Sequence, residues 1–135
     1  MSRFSADAPK ERRKLVADAI AAHRTRGSAF CTLQAGFDPE AAAEAEREEV
    51  PPWIQFGDNT INADCTDEEL ERLKALLREF PAFKVEELHS PEEAEGTNVR
   101  ISAKADANRI AQFVERAFRE AYECPETFTL WAVEV

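Results

Sequence analysis

The sequence is poor in the residues that build cross-links, metal sites and membrane spans. Its three cysteines, Cys31, Cys65 and Cys124, are far apart and odd in number, which fits neither a disulfide framework nor a zinc spacing. Two histidines, His23 and His89, add no ligand cluster, so neither a metal nor a cofactor is expected. Residues 1–25 lack the apolar run of a signal peptide, and no stretch reaches the roughly 18 consecutive apolar residues of a membrane span. A cytoplasmic protein without membrane contact is the expectation. With only four glycines, and with 44% apolar and 9% aromatic residues, the chain is neither fibrous nor disordered. Its 135 residues fit one domain and suffice to bury most of a core.

What is abundant is negative charge. There are 27 acids against 17 bases, a formal net charge of −10, and this should repel nucleic acid and anionic membranes over most of the surface. The excess of Glu over Asp and of Arg over Lys, with abundant Ala, suits a salty cytoplasm. The charge is unevenly spread: residues 1–27 carry seven bases and three acids, a net of +4 that leaves −14 for the remainder. Lys10, Arg12, Arg13 and Lys14 are the core of this cluster and are candidates for contact with a polyanion or a partner. The nearest negative surface is the rest of the chain or a second copy of it. A nucleic-acid partner is disfavoured, because "KERRK" lacks aromatic interleaving.

Asp7 or Ala8 leads into Pro9 at a first-turn position, and Leu15, Val16, Ala19, Ile20 and His23 then share one helical face up to the stop at Gly27. This predicts a helix over 9–25. "FCTLQAGF" reads as a strand. "DPEAAAEAEREEVPP", residues 38–52, has helix formers without an apolar face and reads as a mobile acidic insertion. "WIQFGDNTINADC" reads as a hairpin turning at Gly57-Asp58-Asn59. Thr66 and Glu69 form a capping box for a helix striped by Leu70, Leu73, Leu76, Leu77 and Phe80. Strands "FKVEELHS" and "TNVRISAKA" follow. Asp106 caps a last helix whose Ile110, Phe113, Val114, Ala117, Phe118, Ala121 and Tyr122 make the strongest apolar face, and "FTLWAVEV" ends the chain as a strand.

From residue 60 the order is strand, helix, strand, strand, helix, strand. This predicts an α/β (α+β) fold, a ferredoxin-like β-α-β-β-α-β sandwich over 60–135 with both helices on one sheet face. Residues 1–59 become an N-terminal helix, strand and hairpin extension of the same domain. The other sheet face must be covered by that extension or by a second subunit.

"PPWIQFGDNTINADCTDEEL" and "EEAEGTNVRISAKADANRIAQFVERAFREAY" resemble a family of small acidic haloarchaeal proteins of uncharacterised activity, over most of residues 50–135. The resemblance implies a salt-adapted cytoplasmic origin and carries no catalytic residue.

In "NVRISAK" the side chains alternate, placing Arg100, Ser102 and Lys104 on the face away from the helices, beside Asn62 and Asp64 of the neighbouring strand. These five residues are the candidate ligand-binding group, with Asp64 expected opposite Arg100 or Ser102. A solvated or subunit-covered sheet with paired charges is the plainer reading. Trp131 on such a face offers a stacking platform for single-stranded RNA, but RNA-binding phrases are absent. Cys65, before a helix N-terminus, has the position of a reactive thiol but no base in reach, and a buried small hydrophobe explains it more simply. Asp64 with Asp67 and Glu68 invites a metal reading, which first-turn acids on a helix dipole explain better. The functional expectation is a non-catalytic cytosolic binding or protein-interaction module, with itself as homodimer or another protein as partner. The alternative is an anion sensor or small enzyme using the face around Arg100, Lys104 and Asp64.

Overall fold

The computed structural model describes residues 4–27, 30–36, 52–90 and 96–134. The acidic insertion expected at 38–52 falls, except for Pro52, outside them. The elements run β1 (Phe4–Ala6), α1 (Pro9–Arg26), β2 (Cys31–Ala35), β3 (Trp53–Gly57), β4 (Thr60–Cys65), α2 (Asp67–Leu77), β5 (Lys84–His89), β6 (Thr97–Ser102), α3 (Ala107–Arg116) and β7 (Leu130–Glu134). A π-helical turn, Ala117–Ala121, extends α3 and is closed by Glu123 at φ 56°.

Local chemistry accounts for the boundaries. Pro9 stands in the first turn of α1, and Gly27 ends the helix at φ 64°. Thr66 and Glu69 cap α2 reciprocally, and Asp106 accepts the Arg109 N–H at the start of α3. Asp58 (φ 50°) and Asn59 (φ 56°) make the two-residue turn joining β3 to β4, a geometry these residue types tolerate.

Among the described residues, seven antiparallel strands form one sheet in the order β1-β7-β2-β3-β4-β6-β5. The pairing of β4 with β6 and β6 with β5 is that of the expected four-strand unit. The place of β7 is not: a ferredoxin-like order sets the last strand against β4, whereas here β7 pairs with β2 and β1. The β3–β4 hairpin is the physical reason. A two-residue turn forces β3 alongside β4, β6 occupies the other side, and no edge of β4 remains for β7.

The alternation expected of the strands is realised in β2, β3, β4 and β6, whereas the edge strand β5 is exposed along its whole length. Cys31, Leu33, Ala35, Ile54, Phe56, Ile61, Ala63, Cys65, Val99, Ile101 and Leu130 are all buried and share the helix-covered face. The stripes of α2 (Leu70, Leu73, Leu76) and α3 (Ile110, Phe113, Val114) close over it, each buried side chain worth about 1.5–3 kcal/mol. The N-terminal helix joins this same layer, against α3, with His23 edge-on to Phe56. It therefore does not cover the opposite sheet face, and the strands of the N-terminal extension enlarge that face instead. Among the described residues nothing packs over it.

Candidate functional site

The open face is organised in rows fixed by the strand register. In one row Trp131 of β7 lies opposite Gln34 of β2, which lies opposite Trp53 of β3. In the next, Thr32, Gln55, Asn62, Arg100 and Glu87 follow one another across β2, β3, β4, β6 and β5. Both tryptophans are half-buried, and Trp131 Nε1 reaches the Gly36 carbonyl at 3.4 Å. Val133, at a bulge in β7, is 41% exposed, and Phe30, before the other end of β2 and beside Gln55 and Gly57, is 54% exposed.

The β7-β2-β3 half of this face carries no charge among the described side chains, and Glu134, opposite Thr32 in register, stands at its margin as the last residue of β7. Its members are Trp131, Val133, Thr32, Gln34, Trp53 and Gln55, in a chain of which 33% is charged. The charges lie on the other half. Asp64 is there, and so are Arg100 with Glu87 at 3.8 Å and Lys84 at the sheet edge. This division into an aromatic and amide half and a charged border follows the composition of protein interfaces, whose centres are depleted in charge and enriched in aromatics.

The sequence-predicted ligand group is only partly assembled. Asn62 and Arg100 are cross-strand neighbours, and Ser102 lies opposite Thr60. Asp64 lies opposite Asn98, not opposite Arg100 or Ser102, and its carboxylate accepts from Asn98 Nδ2 at 2.9 Å, while the same amide donates to Asn62 Oδ1 at 2.7 Å. The carboxylate facing Arg100 is Glu87, from a strand the sequence does not place beside it in register. Lys104 follows the last ladder residue of β6 and stands exposed beyond the sheet. A concavity of about 330 Å³ does include Asn62 and Arg100, with Phe30, Gln55, Asp58 and Glu86 among its walls. Two carboxylates against one guanidinium make those walls unfavourable to an anion.

The other candidates resolve as packing. Cys65 is buried with its Sγ 3.5 Å from the Tyr122 hydroxyl, which donates to the Asp64 carbonyl at 2.7 Å. Burial pushes the Cys65 thiol up, and raises Cys31 and Cys124 to about 11, so none has the lowered pKa of a nucleophile. No group of three His, Cys, Asp or Glu residues is placed to hold a metal among the described residues. No helix among them is long and apolar enough to cross a membrane.

The N-terminal base cluster divides. Lys10 is exposed, and Lys14 pairs with Asp18 at 2.8 Å on the outer side of α1. Arg12 departs from its expected role in partner contact: it is 0% exposed. Its Nε and Nη2 donate to Glu115 at 3.2 and 3.0 Å, its Nη1 donates to the Phe128 carbonyl at 2.8 Å, and its guanidinium lies 4.1 Å over the Phe128 ring. The contact the cluster makes is thus intramolecular at this residue. Gln34, Trp53 and Gln55 do not stand out as a group in sequence, although alternation in "WIQFG" and "CTLQA" separates them from the buried Ile54, Phe56 and Leu33.

Comparison with known proteins adds a family. No curated protein and no solved structure matches the chain. A family of unknown function, DUF7975, matches residues 1–135, and the chain belongs to that family.

Proposed function

We propose that the protein is a non-catalytic, cytosolic interaction module of a salt-adapted cell, and that it pairs with a second copy of itself through the open sheet face. The carrying observation is that the half of that face built from Trp131, Gln34, Trp53 and Gln55 carries no charge among the described side chains, in a chain of net charge −10. Two such copies approach at this half without opposing like charges. Its glutamines each donate and accept, so the same surface is complementary to itself about a twofold axis.

The dimensions are sufficient. Seven strands at about 4.8 Å spacing and about 17 Å length present a projected face of roughly 500 Å² per copy. A pair joined over the whole face would lose about 1,000 Å², the lower bound of a specific interface, with the uncharged half as its centre and the charged half as its rim. The acidic remainder opposes association at low ionic strength, and salt screens it, so pairing should strengthen with KCl. The anion-sensor alternative is weaker because Arg100 faces Glu87, and Asp58 and Glu86 wall the nearby concavity.

Sedimentation equilibrium tests the reading. The wild-type chain should be dimeric, more tightly so in high KCl. Gln34→Glu, which puts like charges near the twofold in a desolvated centre, should weaken the dimer at least about tenfold without changing the thermal midpoint by more than a few degrees. A wild-type chain monomeric at every concentration, or a Gln34→Glu dimer as tight as wild type, would rule the reading out.

A further inference from the structure

On the opposite side of the molecule, outside the helix layer, four arginines converge. Arg13 from α1 and Arg109, Arg116 and Arg119 from α3 and its extension line a depression of about 360 Å³ floored by Phe80. Such a cluster is unexpected in a chain of net charge −10. The geometry holds these groups in place before any ligand arrives. Arg109 lies 4.1 Å over the Phe80 ring, donates to Gln112 Oε1 at 2.7 Å and to the Glu79 carbonyl at 3.2 Å, and has no carboxylate partner among the described residues. Arg116 is clamped by Glu79 and Glu120, and Arg119 makes a two-point contact with Glu115 at 2.7 and 2.8 Å. Arg13 is half-buried and has no hydrogen-bond or ion-pair partner among the described residues.

Arg13 and the four bonded arginines, Arg12, Arg109, Arg116 and Arg119, meet the carboxylates of Glu79, Glu115 and Glu120, with Glu126 also near enough to act on Arg119, which leaves an excess of one positive charge. We infer that this depression is a binding site for a dianionic phosphoryl group, free or carried by a small metabolite, with Arg13 and Arg109 as its principal ligands. Forked N–H donors arriving from two helices suit an oxyanion with several oxygens better than a planar carboxylate. The stacking and the bonds to Gln112 and Glu79 reduce the entropy Arg109 loses on binding.

The test is an amide chemical-shift titration in low-chloride buffer with inorganic phosphate, glycerol 3-phosphate and acetate. The expected result is saturable shifts with either phosphate at Arg13, Arg109, Gln112 and Arg116, and at least tenfold weaker effects with acetate. A glycerol 3-phosphate affinity above that of phosphate identifies a metabolite as the source, and equal affinities identify the free ion. Arg13→Gln, which breaks no hydrogen bond or ion pair among the described residues, should weaken phosphate at least fivefold with an unchanged thermal midpoint, whereas Lys14→Gln should leave affinity as it was. Absence of saturable shifts, acetate binding as well as phosphate, or an Arg13→Gln affinity equal to wild type overturns the assignment.

Discussion

Replacing Glu115 by Gln should cost about 3–5 kcal/mol of folding stability, a large part of the ~5–15 kcal/mol a domain of this size possesses. Glu115 and Arg12 are both 0% exposed, so the guanidinium left behind has no route to water. The Arg119 contacts to the same carboxylate weaken as well, since both of its bonds end on Glu115. In a thermal melt the loss should appear as a fall of roughly 10–20 °C. The double replacement Arg12→Met with Glu115→Leu should recover most of it, because the penalty lies in the unpaired charge and not in the absence of an ion pair. A Glu115→Gln protein less than about 1 kcal/mol below wild type would contradict this account of the α1–α3 contact.

Phe113→Ala should be comparably damaging, by about 3–5 kcal/mol. Phe113 is fully buried and meets both Phe80 and Phe83 edge-on, with centroids 5.2 Å apart in each case. Its removal leaves a cavity at the junction of α3 with the segment following α2, and three helical stripes converge too rigidly to close it. The effect extends to the surface, because Phe80 is the ring on which Arg109 stacks. Equilibrium denaturation should show a reduced midpoint with an unchanged slope. A loss under about 1.5 kcal/mol would mean that the aromatic cluster repacks freely.

The sequence was most informative where structure is decided locally. Pro9, Gly27, the Thr66–Glu69 box and Asp106 mark helix ends that the structure places within a few residues of expectation. Strand faces were equally legible, since period two assigns each side chain once one buried residue is known. Strand order was harder, because it depends on contacts distant along the chain. Yet the hairpin at Asp58-Asn59 already excluded β7 from the side of β4, and following that consequence would have corrected the ferredoxin-like order.

The candidate site shows the same division. Asn62 and Arg100 are neighbours as alternation implies, but the pairing of Arg100 with Glu87 depends on an irregular register between β5 and β6. The burial of Arg12 does have a signal in the helical period. It lies four residues before Val16, on the same stripe as Ala19 and His23, and Glu115 sits likewise between Ala111 and Phe118. Opposite charges on two apolar stripes indicate a buried pair, whereas reading "KERRK" as one surface cluster ignores helical direction. The arginine depression was hidden for another reason: Arg109, Arg116 and Arg119 become one site only when α1 brings Arg13 beside them.

Both tryptophans of the chain, Trp53 and Trp131, lie on the open sheet face, so their fluorescence reports on that surface alone. The decisive measurement is acrylamide quenching of tryptophan emission as protein concentration is raised from low micromolar to millimolar in high KCl. Pairing through this face predicts that the quenching constant falls as dimer forms and that Gln34→Glu shifts the fall to higher concentration. A quenching constant independent of concentration would mean that the open face stays in water, and would contradict the proposed interface.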